Sequence, residues 1–269
     1  AKIVLRSHNI EHQIWQRYAA NTTNPLKKGY LKILANELKT YEVNHINDYD
    51  GILPITEVDR EFYEQHSNKA KIKTLPFALK AIELKNHTIK KRQNSLFHIG
   101  SMHWLPNQEG IMWFLDNVWP EVYQEFPDLT FSLAGRNMPE KIQNRNEPGL
   151  IIDGEVEDAY KYMQSKSIMI VPLFSGSGIR IKILEGMLNK NVVITSSIGA
   201  EGIDAIDGEH LLIANNKDEF KRQIQYCLDN PKETAQIGEN AGQLVKDHYN
   251  LKDNAKKLTS FYQELIENN

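Results

Sequence analysis

Three small residues open a helix-like segment in the stretch FSGSGIRIKILEG, residues 174–186. They are Gly176, Ser177 and Gly178, and they follow an apolar run of strand length. Glycine lets the backbone adopt a positive φ and come close to a bound group. The free N–H groups at the start of a helix, together with the helix dipole, favour an anion. The stretch therefore predicts a helix start that binds an anion.

Two cations and a carboxylate follow within the same segment. Arg180 shares a helical face with the apolar Leu184 and Met187 at about 100° per residue, and a cation buried on that face is costly without a partner. A diphosphate would neutralise it, with Lys182 as a second cation. Glu185 lies one turn further along, where its carboxylate could accept two hydroxyls of a ribose or hexose.

The same residues allow a plainer interpretation. A glycine-rich turn could precede a helix on which Lys182 and Glu185 form an (i, i+3) surface pair, worth a few tenths of a kcal/mol. The stretch is not a Walker A loop, since no Gly-Lys-Ser/Thr follows, and it is not a G-x-G-x-x-G fingerprint after a first strand. The motif alone leaves both interpretations open.

Size and composition exclude several classes of protein. The chain has 269 residues, of which 41% are hydrophobic and 25% charged, and its net charge of −3 predicts no nucleic-acid partner. The single cysteine, Cys227, rules out an internal disulfide framework and suits a reducing cytoplasm. No apolar stretch approaches the roughly 20 residues that span a bilayer, and no signal-peptide pattern is present. Because the sequence starts at Ala1 inside a strand-like pattern, we expect a cut end there.

Apolar runs of strand length alternate with amphipathic segments of helix length along the chain. The predicted strands are 2–8, 51–56, 71–76, 95–101, 129–135, 149–154, 167–173, 191–197 and 210–215. The predicted helices are 10–18, 25–46, 57–65, 108–125, 157–165, 180–189, 218–229, 232–248 and 251–267. Several strands are apolar on both faces, as a parallel sheet covered by helices requires. The pattern therefore predicts a doubly wound α/β fold.

The polar segment 80–94 breaks this alternation and is interpreted as a linker between two domains. We predict an N-terminal domain with its linker over 1–88 and a C-terminal Rossmann-like domain over 89–250. A final helix over 251–269 could cross back to the N-terminal domain. Six predicted strands follow the linker and only three precede it, so the N-terminal domain is expected to be incomplete.

Three segments of the sequence resemble one family of enzymes. VPLFSGSGIRIKILEGMLNKNVVITSSIGAEGI (171–203) resembles the donor-binding segment of the retaining GT-B glycosyltransferases of family 4, the glycosyl transferases group 1. HIGSMHWLPNQEGIMWFL (98–115) is similar to the first strand, loop and helix of their C-terminal domain, and LRSHNIEHQIW (5–15) to part of their N-terminal domain. The resemblance implies two Rossmann-like domains across a cleft, with the donor on the C-terminal one and the acceptor on the N-terminal one. It also implies that about the first 100 residues of a family member are missing.

The resemblance assigns catalytic-site roles to a histidine and a glutamate. In the family's Glu-x7-Glu motif the second glutamate holds the nucleotide ribose, and it falls on Glu185. The first contacts the donor sugar and falls on Ser177, which puts the choice of sugar in doubt. His8, in SHN, matches the loop that lines the reaction centre, although a lone histidine at a strand end is often structural.

The resemblance also identifies a departure in the phosphate site. The family's phosphate-binding Arg and Lys usually follow the first C-terminal strand, where this chain has Gly100 and Ser101. Arg180 and Lys182 could supply the missing charge from the other side.

Four further residues are assigned to the donor site by the same comparison. Arg136 could contact phosphate or donor, or be a solvated arginine at a strand end. Gly154 and Val156 match the loop that flanks the nucleobase, with a plain turn as the alternative. Gly199 falls near the donor sugar, or simply in a turn before a helix.

The resemblance implies transfer of a sugar from a UDP- or GDP-sugar to a glycan or lipid-linked acceptor, with retention of configuration and without a metal or other cofactor. We expect a bacterial, cytoplasmic enzyme of cell-envelope polysaccharide synthesis that associates peripherally with the inner face of the membrane. Two alternatives stay open, a non-catalytic nucleotide-sugar-binding fragment of such an enzyme and a GT-B epimerase.

Overall fold

The computed structural model describes residues 1–79, 95–176 and 178–267. Within these residues the strands form two parallel sheets, one of three strands and one of six. The predicted linker 80–94 and Ser177 lie outside the described residues.

The smaller sheet contains the strands nearest the start of the chain, in the order β1-β2-β3. Its strands are β1 (Val4–Ser7), β2 (Gly51–Pro54) and β3 (Lys71–Ile72). Its helices are α1 (Glu11–Asn21), α2 (Pro25–His45), which a 3-10 turn at Ile46–Asp48 follows, and α3 (Glu57–His66). All four residues of β2 are buried, as expected for a central parallel strand covered on both faces.

The larger sheet has the order β6-β5-β4-β7-β8-β9, with every pair parallel. Its strands are β4 (Ser95–Ile99), β5 (Thr130–Ala134), β6 (Leu150–Gly154), β7 (Ile168–Val171), β8 (Val192–Thr195) and β9 (Leu212–Ile213). Its helices are α4 (Leu105–Asn117), α5 (Trp119–Glu125), α6 (Glu140–Gln143), α7 (Ala159–Gln164), α8 (Ile181–Leu188), α9 (Ser197–Ala200), α10 (Lys217–Asp229) and α11 (Pro231–His248). Counted within this sheet, the strand order is that of a doubly wound Rossmann-like domain. The prediction of a doubly wound parallel α/β fold is confirmed.

Apolar side chains cover both faces of the larger sheet. On one face the fully buried Trp119 packs with Phe114 and Phe131. On the other face Leu184 and Met187 of α8 pack with Val171 of β7. The apolar side of α8 is therefore held against the sheet, and this fixes where the start of α8 lies.

The last helix, α12 (Leu251–Glu267), lies against the smaller sheet. Phe261 and Leu265 pack with Leu53 and Leu75, which come from β2 and from the segment after β3. A side chain at Gly51 would force these two residues to move, because its Cβ would lie 2.7 Å from the Leu265 side chain and 2.9 Å from the Phe261 ring.

Several predicted boundaries are wrong; the strands predicted at 71–76 and 210–215, for example, cover only Lys71–Ile72 and Leu212–Ile213. Two other differences have clear local reasons. The predicted helix 108–125 is two helices that meet at Val118. Pro120, in the first turn of α5, has no backbone N–H to donate within a continuous helix and favours a new helix start. The predicted strand 191–197 ends earlier, because the Ser196 side chain accepts a hydrogen bond from the Gly199 N–H and starts α9.

Candidate functional site

Part of the predicted site lies at the carboxyl ends of β4 and β7, which are neighbours in the larger sheet. The chain leaves β4 through Gly100 and Ser101, and it leaves β7 towards the stretch 174–186. The direction of strand connection reverses between β4 and β7. Such a switch point opens a crevice outside the carboxyl ends of the strands, where ligands bind in open α/β sheets.

The glycines of the stretch have positive φ and tight surroundings. Gly176 has φ 107° and Gly178 has φ 78°. A Cβ at Gly176 would lie 2.9 Å from the Trp104 ring, and one at Gly178 would lie 2.3 Å from Asn9 Oδ1. Both glycines therefore have the positive φ expected from the sequence. The side chains that approach them are Trp104, from the loop after β4, and Asn9, from the segment after β1.

Arg180 directly precedes α8 and is only 5% exposed. Its Nη1 donates to the Gly178 carbonyl, and its guanidinium lies 5.4 Å from the centre of the Trp104 ring. Burial lowers the pKa of Arg180 to about 10, so the side chain stays cationic at neutral pH. The helical face of Arg180 predicted this burial.

Lys182 reaches from the first turn of α8 to the loop that follows β4. Its Nζ lies 2.5 Å from Asn107 Oδ1 and 3.5 Å from His98 Nε2. A Cβ at Gly100 would be 3.3 Å from the same Nζ. Burial, and then the positive charge of Arg180, lower the pKa of Lys182 to about 7. The structure thus places the Lys182 amine beside Gly100, and the role of the two residues at a phosphate site stays a prediction.

Glu185 lies one turn further along α8 and is partly buried. The Tyr160 hydroxyl donates to Glu185 Oε1 at 3.3 Å, and burial raises the pKa of the Glu185 carboxyl. Tyr160 and Val156 line one shallow cavity on α7 and the segment before it. Gly154, at the end of β6, has φ 66° and open space around its Cα. Tyr160 therefore bonds to Glu185 and shares a cavity with Val156 of the predicted base-flanking loop.

Two predicted donor-site residues have other neighbours. Arg136, after β5, is exposed and pairs with Glu155 at 3.0 Å. Gly199 lies inside α9 with its Cα against β8, since a Cβ there would be 2.0 Å from Thr195 Oγ1. Their assignment to the donor site stays a prediction, as does that of Ser177, which lies outside the described residues.

His8 follows β1 and lies near the glycine loop, by which we mean the segment with Gly176 and Gly178 that leads into α8. Its side chain is exposed, and its carbonyl oxygen would be 3.2 Å from a Cβ at Gly178. The structure therefore places the His8 backbone close to Gly178, two residues before Arg180, and the catalytic role of His8 stays a prediction.

An ion pair that the sequence does not reveal links the two sheets at the same place. Arg17, on α1, donates to the Gly176 carbonyl at 2.9 Å. The same guanidinium makes a bidentate pair with the Glu201 carboxylate, Nη2 to Oε1 being 2.6 Å. These residues are far apart in the chain, and no local spacing marks them. The local sequence pattern also does not indicate a role for His98 or Tyr160, because each has the pattern of an ordinary core or helix residue.

Comparison with known proteins gives consistent findings. A model of the family described as glycosyl transferases group 1 matches residues 93–230. Over 274 residues the chain is 27% identical to an uncharacterized 44.6 kDa protein in the cps region of Klebsiella pneumoniae, with 97% of this chain and 68% of that protein covered.

Solved structures share the fold at low sequence identity. TarM of S. aureus, in a complex that contains UDP, matches with a TM-score of 0.68 and 17% identity over 83% of this chain. The chain spans 46% of the length of that TarM chain. HepE of Anabaena in complex with UDP matches with a TM-score of 0.69 and 12% identity, covering 98% of this chain and 72% of that one. The prediction of a GT-B fold is confirmed.

Proposed function

Because the chain belongs to the glycosyl transferases group 1, we propose that it binds a UDP- or GDP-sugar and transfers the sugar to a glycan or lipid-linked acceptor with retention of configuration. The observation that carries this proposal is the pair of cations at the start of α8, of which Arg180 is buried and Lys182 half-buried. Arg180 and Lys182 lie at the switch point of the larger sheet, opposite His8. A pyrophosphate is an anion of the right charge for this corner.

Each residue has a role in the proposed reaction. Arg180 and Lys182 neutralise the diphosphate as it departs, which is where negative charge develops. Glu185 accepts the ribose hydroxyls, and the loop from Gly154 to Val156 flanks the base. His8 faces the sugar from across the crevice. In this proposal the two side-chain cations supply the charge that a divalent ion would otherwise supply, so transfer proceeds without a metal.

The biological setting is proposed from the relatives. The Klebsiella pneumoniae protein is described as one of the cps region, which supports a bacterial enzyme of cell-envelope polysaccharide synthesis. UDP occupies TarM of S. aureus and HepE of Anabaena, so UDP-sugars are the first donors to test. The reaction would take place in the cytoplasm, at the inner face of the membrane.

Helix α2 supports peripheral association with a membrane. Among the described helices none is both long and apolar enough to cross a bilayer. The first half of α2, however, presents Leu26, Tyr30 and Ile33 on one face, with exposures of 86%, 66% and 61%. The exposed Lys27 and Lys32 lie on the two sides of this face at about 100° per residue. An exposed apolar stripe with basic neighbours fits the surface of a bilayer with anionic lipids.

Calorimetry with UDP-glucose and GDP-mannose tests the donor site. Changing Arg180→Ala removes a buried cation from the diphosphate site and should weaken donor binding by about 1.5–3 kcal/mol, the range for a hydrogen bond to a charged group. Arg180→Lys, which keeps the charge, should lose less. Arg222→Ala, on the exposed side of α10, is the matched control and should bind as the unaltered protein does.

Two results would count against the proposal. Unchanged affinity in Arg180→Ala, with the fold intact by circular dichroism, would remove the role of this residue. Tight binding without sugar transfer or hydrolysis of the donor would instead favour a binding module without catalysis.

A further inference from the structure

The amine of Lys182 is held by two neutral acceptors. Asn107 Oδ1 lies 2.5 Å from Nζ, and His98 Nε2 lies 3.5 Å from it. Within the described part of the chain no carboxylate lies within 4.0 Å of this amine. The described residues therefore place no negative charge next to this half-buried amine.

The orientation of His98 is fixed from its other side. His98 is fully buried in β4, and its Nδ1 lies 2.7 Å from the Ile170 carbonyl of β7. A carbonyl can only accept, so Nδ1 carries the hydrogen and Nε2 presents a lone pair to Lys182. Burial, and then the charge of Lys182, lower the pKa of His98 well below its ordinary value. The imidazole is therefore a neutral acceptor.

Asn107 is oriented in the same way. It is 4% exposed on α4, and its Nδ2 donates to the Ser101 carbonyl at 2.8 Å. This bond turns Oδ1 towards Lys182. Each of the two acceptors is thus locked by a second hydrogen bond to a backbone carbonyl at the carboxyl edge of the sheet.

The charged and titratable groups around Lys182 are few. His98 faces it from β4, and Arg180 acts on it from the start of α8. Asn107, from α4, carries no charge. Because burial and then the positive charge of Arg180 lower the pKa of Lys182 to about 7, the amine is only partly protonated near neutral pH.

We propose that His98 and Asn107 are positioning residues that hold the Lys182 amine at the diphosphate site, and that this amine takes up a proton when the diphosphate binds. The proton comes from solvent, the amine becomes an ammonium, and no other bond changes. The identity of the ligand rests on the proposed function. An anion beside the amine favours its charged form, so binding and protonation support each other.

Calorimetry at about pH 8 in two buffers of different ionisation enthalpy, Hepes and Tris, measures the proton uptake. The phosphates of UDP-glucose and GDP-mannose are diesters that hold their charge in this range, so any uptake belongs to the protein. The unaltered protein should take up close to one proton at about pH 8 and far less at about pH 6, as a pKa near 7 requires. No difference between the two pH values overturns the proton linkage.

Variants of the two acceptors test the positioning role. His98→Phe keeps the volume and removes the acceptor, so donor affinity should fall about tenfold, and more at pH 8 than at pH 6. His98→Gln, which offers an oxygen, should recover part of this. Asn107→Asp adds a carboxylate beside the amine, so it should keep Lys182 charged and abolish proton uptake while weakening the donor. A purely structural role would lower affinity equally at both pH values and leave the proton count unchanged.

Labelling with acetic anhydride separates this inference from the proposed function. The pH dependence of Lys182 acetylation, read by mass spectrometry, gives the pKa of the amine without any ligand. A midpoint near 7 that moves in His98→Phe supports the positioning role. An ordinary lysine pKa, or an unmoved midpoint, overturns it. If neither nucleotide sugar binds, the proposed function and the proton linkage fall together, and the labelling still decides the positioning role.

Discussion

Arg180 and Lys182 occupy positions where a positive charge costs the folded protein free energy. Arg180 is 5% exposed, and the half-buried Lys182 lies beside His98 of β4 and Asn107 of α4. Burying a charge away from water is unfavourable unless a partner replaces the lost hydration. At the residue scale, a site prepared for an anion should therefore be less stable when that anion is absent.

Lys182→Met should make the free protein more stable, and the gain should depend on pH. The amine has a pKa of about 7 in the folded chain against 10.5 ordinarily, so between these pH values the unfolded chain binds more protons and stability rises with pH. Below about pH 7 both states are protonated and the full burial cost remains. The variant should gain on the order of 1–3 kcal/mol at pH 6.5 and less at pH 9.5.

Urea unfolding at the two pH values, in buffers without phosphate, measures this gain. Lys256→Met is the control, since Lys256 is 71% exposed on α12 and should change stability little at either pH. A variant that is destabilised at pH 6.5, or a gain that does not shrink with pH, would contradict the account of Lys182.

Local patterns predicted part of the site and could not predict the rest. The helical face shared with Leu184 and Met187 indicated that Arg180 is buried. The contact of Lys182 with His98 forms because β4 and β7 are adjacent in the sheet. The spacing of residues within one segment does not determine the order of strands in a sheet. The residues of one segment were therefore predictable, and their partners from other segments were not.

At the scale of elements, α1 connects the smaller sheet to the glycine loop. Arg17 donates to the Gly176 carbonyl and pairs with Glu201, which follows α9. Gly202 lies against Thr56, just before α3. The order and type of the strands and of most helices were predicted from apolar runs, because those runs reflect burial within one element, but several of their bounds were wrong. Contacts between α1 and the loops of the other sheet join distant segments, so they required the structure.

Arg17→Ala should weaken donor binding although Arg17 has no proposed contact with the donor. Loss of the bond to the Gly176 carbonyl frees the loop that leads into Arg180, so we expect a loss of about 1 kcal/mol in affinity for UDP-glucose. The stability cost should be small, because the pair with Glu201 is partly exposed. Calorimetry and urea unfolding measure the two quantities.

Arg60→Ala is the matched control, since Arg60 pairs with Glu57 and Glu64 on the exposed side of α3. A double-mutant cycle of Arg17→Ala with Glu201→Gln measures the coupling between the partners. Equal donor affinity in the Arg17 and Arg60 variants would show that the contact across the crevice does not hold the loop.

At the scale of the whole molecule, the two sheets are joined at more than one place. Helix α12 packs on the smaller sheet through Phe261 and Leu265, and Arg17 ties α1 to the loops of the larger sheet. The first half of α2 contributes an apolar stripe to the outer surface. If that stripe contacts a membrane, an acceptor held in the membrane would reach the crevice from the side of the smaller sheet.

A double variant, Leu26→Ser with Ile33→Ser, tests the orientation on a membrane. Both side chains are exposed, at 86% and 61%, so their replacement should leave folding intact and remove the apolar contact with the bilayer.

Ile266→Ser is the matched control, because Ile266 is equally exposed, at 65%, on α12. Co-sedimentation with vesicles of phosphatidylcholine and phosphatidylglycerol should fall in the double variant alone, and added salt should weaken binding of the unaltered protein by screening Lys27 and Lys32. Sedimentation of the double variant at the level of Ile266→Ser, or failure of the unaltered protein to bind vesicles, would contradict the membrane role of α2 and leave the donor site unaffected.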